Sequence, residues 1–175
     1  MATYKIDVAH SEITFKVKHL MITNVTGSFT QFDASMESSA SDFSDAKISF
    51  EADVNSINTN NEQRDGHLKS DDFFNAAEFP KLSFVSTGIQ KKTENTFALN
   101  GDLTIRSITK PVTLNVEFGG NMTDPWGQEK AGFEITGSIN RKDFDLKWSA
   151  TTEAGGIVVS DEVKLQLAVQ MIKQA

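Results

Sequence analysis

Apolar and polar residues alternate with a period of two along most of the chain. Ile13, Phe15 and Val17 interleave with Thr14, Lys16 and Lys18, and Ala46, Ile48, Phe50, Ala52 and Val54 interleave with Lys47, Ser49, Glu51 and Asp53. Phe97, Leu99, Leu103 and Ile105 share a row with Gly101, and Val112, Leu114, Val116 and Phe118 form another. Phe133, Ile135 and Ile139 follow with Gly137 among them, and Val163, Leu165, Leu167, Val169 and Met171 close the chain. Such alternation marks half-buried antiparallel strands. With Tyr4–Val8, Val25–Met36 and Lys81–Thr87 it predicts about eight or nine strands, the spacing of an all-β barrel or sandwich. One domain spanning residues 1–175 accounts for all of them.

The punctuation agrees. Gly119-Gly120, Asn121, Asp124-Pro125, Gly127 and Gly155-Gly156 fall between the runs as turn signals. Gly101 and Gly137 lie inside runs and predict bends or close approaches in a curved sheet. In Val25–Met36 the row slips, because Phe29 and Phe32 have opposite parity. A bulge near Thr30-Gln31 is one explanation. Apolar residues on both faces, one of them at a subunit contact, is another.

One stretch breaks the pattern: residues 61–80, NEQRDGHLKSDDFFNAAEFP. Asn60 or Asn61 caps a short helix, with Glu62 and Asp65 in its first turn. Asp65 and Lys69 stand at the favourable i,i+4 spacing, and so do His67 and Asp71. Leu68, Phe73 and Phe74 supply apolar surface, and Pro80 introduces the next strand. The segment predicts a helical cap on one end of the barrel. Catalysis by a His67–Asp71 pair, and a metal held by Asp65, His67 and Asp71, are weighed against a local network pinning the helix to the rim, and the network is preferred. No cofactor or metal is expected.

Composition narrows the function. The net charge is −7, which argues against a nucleic-acid surface. The absence of cysteine removes disulfides, thiolate chemistry and sulfur-ligated zinc. No stretch approaches the length of a membrane span, so no membrane insertion is expected. The N-terminus lacks a basic segment followed by an apolar run, so a cytoplasmic location is expected, or a periplasmic one if a leader has been removed. Phenylalanine dominates the aromatics, with 13 Phe against 1 Tyr and 2 Trp. Phe fills apolar space without a polar handle. That suits an ordinary core or the wall of a site for a greasy ligand. An eight-stranded barrel either fills its interior with side chains or holds one small ligand.

Parity also places two polar side chains on the apolar face. His19 follows the Ile13, Phe15, Val17 row, and Arg141 follows Phe133, Ile135, Gly137 and Ile139. Both point inward near strand ends, or reach solvent where the ends fray. An inward Arg implies a carboxylate, an anion or water at a barrel mouth.

The chain resembles the YceI-like family of lipocalin-like, polyisoprenoid-binding proteins. The resemblance runs through YKIDVAHSEITFKVKHL, with His10-Ser11 and His19, then RDGHLKSDDFF, FPKLSFVST, LNGDLTIRSITKPVTLNV and GFEITGSINRKDFDLKW, in that order along nearly the whole chain. It implies an all-β, eight-stranded antiparallel lipocalin-like barrel capped by short helical segments, commonly a homodimer. It also implies an apolar tunnel for a long isoprenoid tail, as in a polyprenyl pyrophosphate or a quinone-type lipid. The family usually has glycine at the positions of Ser107 and Asp145, so changes of loop shape are expected there.

The leading function is therefore a carrier or sequestering protein for an isoprenoid lipid, and not an enzyme. Head-group candidates are His19, Arg64, His67 and Arg141, with Lys110 as a further one. Wall candidates are Phe15, Val17, Phe50, Leu99, Phe133 and Ile135 from the rows and Trp148 from the last motif. The alternatives are an enzyme for an isoprenoid or another apolar substrate, worked by Arg64, Asp65 and His67, and a barrel with a filled core that acts through its surface.

Overall fold

In the computed structural model, which describes residues 1–149 and 158–175, the alternating rows become strands of one antiparallel sheet. They are β1 (Ala2–Ile6), β2 (Glu12–His19), β3 (Thr23–Phe29), β4 (Phe32–Ser38), β5 (Lys47–Asp53), β6 (Ile57–Asn58), β7 (Lys81–Lys91), β8 (Thr96–Ile105), β9 (Ile108–Thr123), β10 (Glu129–Asn140) and β11 (Val159–Lys173). The order β1-β4-β5-β7-β8-β9-β10-β11 returns to β1, which closes an eight-stranded barrel. Strands β2, β3 and β6 prolong the wall at one end. After a helical turn at Val8–His10, β2 carries on along β11, with β3 on β2 and β6 on β3. The Gly155-Gly156 turn signal lies outside the described residues.

Register carries the alternation into a core. Phe133 lies opposite Val169 on one side and Phe118 on the other, and Ile135 lies opposite Leu167 and Val116. Cross-strand partners share a face, so each apolar row stacks on the next. The slip between Phe29 and Phe32 is a break between β3 and β4 at Thr30-Gln31. There the Thr30 amide donates to the Ser56 carbonyl, and Gln31 accepts from the Asp53 amide. Both rings reach the apolar side: Phe29 is buried in the core, and Phe32 stacks on Phe50.

Gly101 shows how tightly the sheet is packed. A Cβ built there would stand 2.3 Å from Phe84 Cζ and 2.7 Å from the Val85 carbonyl oxygen. The ring can shift; the backbone oxygen cannot do so cheaply. Gly101→Val is expected to destabilise the barrel by about 2–3 kcal/mol, the upper part of the overpacking range. A urea midpoint that stays at the wild-type value would contradict this.

Two caps end the barrel. At one end the segment between β6 and β7 carries α1 (Glu62–Lys69), capped by Asn61, whose side chain accepts the Arg64 amide at 2.9 Å. The expected Asp65–Lys69 pair is replaced. Asp65 Oδ1 accepts the Thr59 amide at 2.9 Å and the Thr59 hydroxyl at 2.5 Å. Thr59 is buried, and an unsatisfied buried donor costs more than an exposed i,i+4 pair contributes. The expected His67–Asp71 pair is replaced as well. The helix stops at Lys69, and the chain turns so that His67 Nε2 meets Asp72 at 2.8 Å while Asp71 meets Arg106 Nη2 at 2.9 Å.

At the other end the β4–β5 loop folds inward. Its carboxylate Asp45 accepts the Ser38 hydroxyl at 2.7 Å and the amides of Ser39 and Ala40 at 2.9 and 3.0 Å. These donors, Ser38 first, hold the Asp45 carboxyl below its ordinary value. Ser107 and Asp145 keep turns of the kind that favour glycine, each with φ 64°. Asp145 tolerates this well, because Asx side chains hydrogen-bond locally in left-handed turns.

Candidate functional site

The barrel lumen is not filled by its own side chains. It holds a cavity of about 390 Å³ running between the two caps. Phe15, Val17, Phe50, Leu99, Phe133, Ile135 and Trp148 all border it. The first six do so because inward parity on β2, β5, β8 and β10 turns these rows toward one axis, and Trp148 comes from the segment after β10. Ala34, Phe43, Ala46 and Phe97 border it too and were not among the expected wall residues. Phe97 and Ala46 lie in rows whose parity already pointed inward, whereas Phe43 belongs to a loop without periodicity.

The polar side chains on the wall gather at one end. His19 ends β2, Thr59, Arg64 and His67 come from the α1 cap, and Arg141 follows β10. Register sets the levels. His19 lies opposite Val159 and Val17 opposite Val163, whereas Phe133 lies opposite Val169, farther down β11. Below the polar level the residues bordering the cavity are apolar as far as Phe43, except Thr14 of β2. Lys110 is not brought to this group: it is exposed on β9 and does not border the cavity.

The cations differ in what already holds them. Arg64 donates from Nε to the Thr59 hydroxyl at 2.8 Å and from Nη2 to the Thr59 carbonyl at 2.7 Å. No described hydrogen bond uses its Nη1. His67 meets Phe73 and Trp148 edge-on, with ring centroids 5.1 and 5.0 Å away. Those rings and Asp72 fix its orientation. No described hydrogen bond links His67 to Arg64 or Asp65, so the Arg64, Asp65 and His67 group resolves into two separate local networks.

Arg141 has the carboxylate that an inward Arg implies, in Asp161, and closer to it a set of partners that were not expected. Its guanidinium donates to the backbone carbonyls of Ser160 at 2.9 Å, Leu146 at 2.5 Å, Trp148 at 2.7 Å and Val159 at 3.4 Å. Asp161 stands 3.8 Å away. Burial pulls its pKa down from the ordinary value, and Asp161 opposes that shift. Arginine remains charged under such conditions. The inward parity was legible, but the carbonyl partners have no signature in the sequence. Thr59, which organises both Arg64 and Asp65, was missed for the same reason.

A closed antiparallel barrel with a hydrocarbon lumen and polar groups at one end defines a lipocalin-like barrel. Residues 4–171 match the YceI-like domain, and the chain belongs to that family. A UPF0312 protein of Staphylococcus aureus is 39% identical over 171 residues, 97% of either chain. The solved Campylobacter jejuni YceI protein is 32% identical with a TM-score of 0.78, over 90% of each chain. A solved polyisoprenoid-binding domain from Saccharophagus degradans, implicated in plant cell wall breakdown, has a TM-score of 0.68 over 98% of each chain. At 15% identity that likeness is one of fold alone.

Proposed function

We propose that the protein binds one long-chain isoprenoid lipid, of polyprenyl pyrophosphate or quinone type, and acts as its carrier or sequestering protein. The tail occupies the lumen and the head group rests at the α1 end. One observation carries this reading: one cavity is bordered by apolar residues along most of its length and has its cations collected at one end. A globular apolar ligand would not need that segregation, and a polar metabolite would not tolerate the wall. The fold likeness to the Saccharophagus polyisoprenoid-binding domain supports the ligand class.

The energetics agree. Each methylene moved from water into hydrocarbon contributes about 0.8 kcal/mol, so tail burial drives binding and a few polar contacts suffice to orient the head. The cavity, about 390 Å³, lies in the lower part of the range for small-molecule sites, roughly 300–1,000 Å³. A tail fills it and the head stays at the rim. Binding is favoured over catalysis because Asp65 and Arg64 are engaged with Thr59 and do not converge with His67 on a reacting position.

Native mass spectrometry of freshly purified protein tests the reading. A bound isoprenoid mass is expected; no bound mass, together with no saturable binding of any prenyl compound, would overturn it. Arg64 tests the head-group contact. Arg64→Gln is expected to lower the preference for a prenyl pyrophosphate over the matching alcohol about tenfold, one charge-assisted hydrogen bond of about 1.5 kcal/mol. Equal losses for the two ligands would remove Arg64 from the head-group site.

A further inference from the structure

We propose that Phe43 is the stop that sets the longest lipid tail this barrel accepts. The inference rests on the lumen being the tail site and adds which residue determines chain-length specificity. Phe43 lies in the β4–β5 loop, at the end of the lumen opposite the cations. Its ring borders the cavity, whereas the rings of Tyr4 and Phe118, packed edge-on against it, do not. Phe133, its third edge-on partner, belongs to the wall. Phe43 is thus the last ring met by anything travelling down the lumen, with an aromatic layer behind it. It is only 3% exposed, so solvent does not reach the ring.

The backbone supports the assignment. Phe43 has φ 62°, a left-handed conformation that is an outlier for a bulky residue. Strain of this kind persists only where the surroundings impose it. Here they do. The Phe43 amide donates to the Ala40 carbonyl at 3.2 Å, and the Phe43 carbonyl accepts the Ala46 amide at 3.1 Å. Asp45 gathers Ser38, Ser39 and Ala40 on one side, and Asp42 meets Lys91 at 2.9 Å on the other. The loop pins the ring across the axis, where a residue serving only to bury apolar area could lie on a strand in relaxed geometry. Ala46, beside it, also borders the cavity and is small. The pair gives the lumen a floor whose depth depends on two side chains.

The test measures affinity against tail length for wild type, Phe43→Ala, Phe43→Leu and Ala46→Leu. The probes are prenyl pyrophosphates from farnesyl to decaprenyl and, in parallel, n-alcohols from octanol to eicosanol. For wild type, affinity is expected to rise with each added unit and then stop rising. Phe43→Ala is expected to move that stop at least one isoprene unit longer and raise affinity for the first overlong compound about tenfold. Phe43→Leu moves it the same way by less, and keeps the test open should the alanine variant fail to fold. Ala46→Leu moves it shorter. A stop that stays in place in every folded variant, with prenyl binding intact, overturns the role of Phe43 and leaves the lipid-binding reading standing. A stop that moves for the alcohols without any prenyl binding retains the floor and overturns the isoprenoid assignment. No binding of either series overturns both.

Discussion

Arg141→Ala is expected to destabilise the protein by about 3–5 kcal/mol, because several buried carbonyls lose their shared donor at once. The side chain is 3% exposed and is the common donor for carbonyls of Leu146, Trp148, Val159 and Ser160. It ties the end of β10 to the segment after it and to the start of β11. Each carbonyl left dry without a donor costs about 1–3 kcal/mol, reduced where water can enter. Lysine would not repair the site. Its ammonium is a point donor, whereas the planar guanidinium spans acceptors that lie apart. The measurement is the urea midpoint at unchanged m-value. A loss below about 1 kcal/mol would show that these carbonyls find other donors. Binding provides a second check. Arg141 acts on the shape of the polar end and not on one head group, so its loss should weaken prenyl pyrophosphate and prenyl alcohol alike, whereas Arg64→Gln separates them.

Arg64 and Arg141 also mark how far the sequence could be read. Period-two alternation predicted the strands because burial on one face enforces it. The parity slip between Phe29 and Phe32 marked the break at Thr30-Gln31 because an extra residue must appear where inward facing is kept. The same parity brought Phe15, Val17, Phe50, Leu99, Phe133 and Ile135 to the lumen. Direction, however, is not partnership. Parity turned Arg141 inward without revealing that backbone carbonyls from two other segments receive it. Charge-pair spacing on α1 suggested Asp65–Lys69 and His67–Asp71, and tertiary demands replaced both: a buried Thr59 took Asp65, and the turn after Lys69 gave His67 to Asp72. Phe43 was invisible because a loop residue in a left-handed conformation leaves no periodic trace. Glycine would have signalled the turns at Ser107 and Asp145; there the fold keeps the conformation and accepts the residue.

Ala34→Phe is expected to abolish most lipid binding while leaving the barrel folded. Ala34 lies on β4 opposite Phe50, and its methyl borders the lumen. A phenyl ring projecting from this position enters space that the protein leaves empty, so the overpacking cost falls at the low end of the usual range, about 1 kcal/mol. The tail, in contrast, loses room for about four methylenes at 0.8 kcal/mol each, roughly 3 kcal/mol in all. That corresponds to more than a hundredfold in Kd. The loss should be the same for a prenyl pyrophosphate, a prenyl alcohol and a quinone of equal tail length, because the ring acts on hydrocarbon they share. Titration calorimetry of the three, beside a urea melt of the same variant, makes the comparison. Unchanged affinity in a folded Ala34→Phe protein would mean that the tail lies somewhere other than the lumen, and the segregation of hydrocarbon from cations inside this barrel would then need another cause.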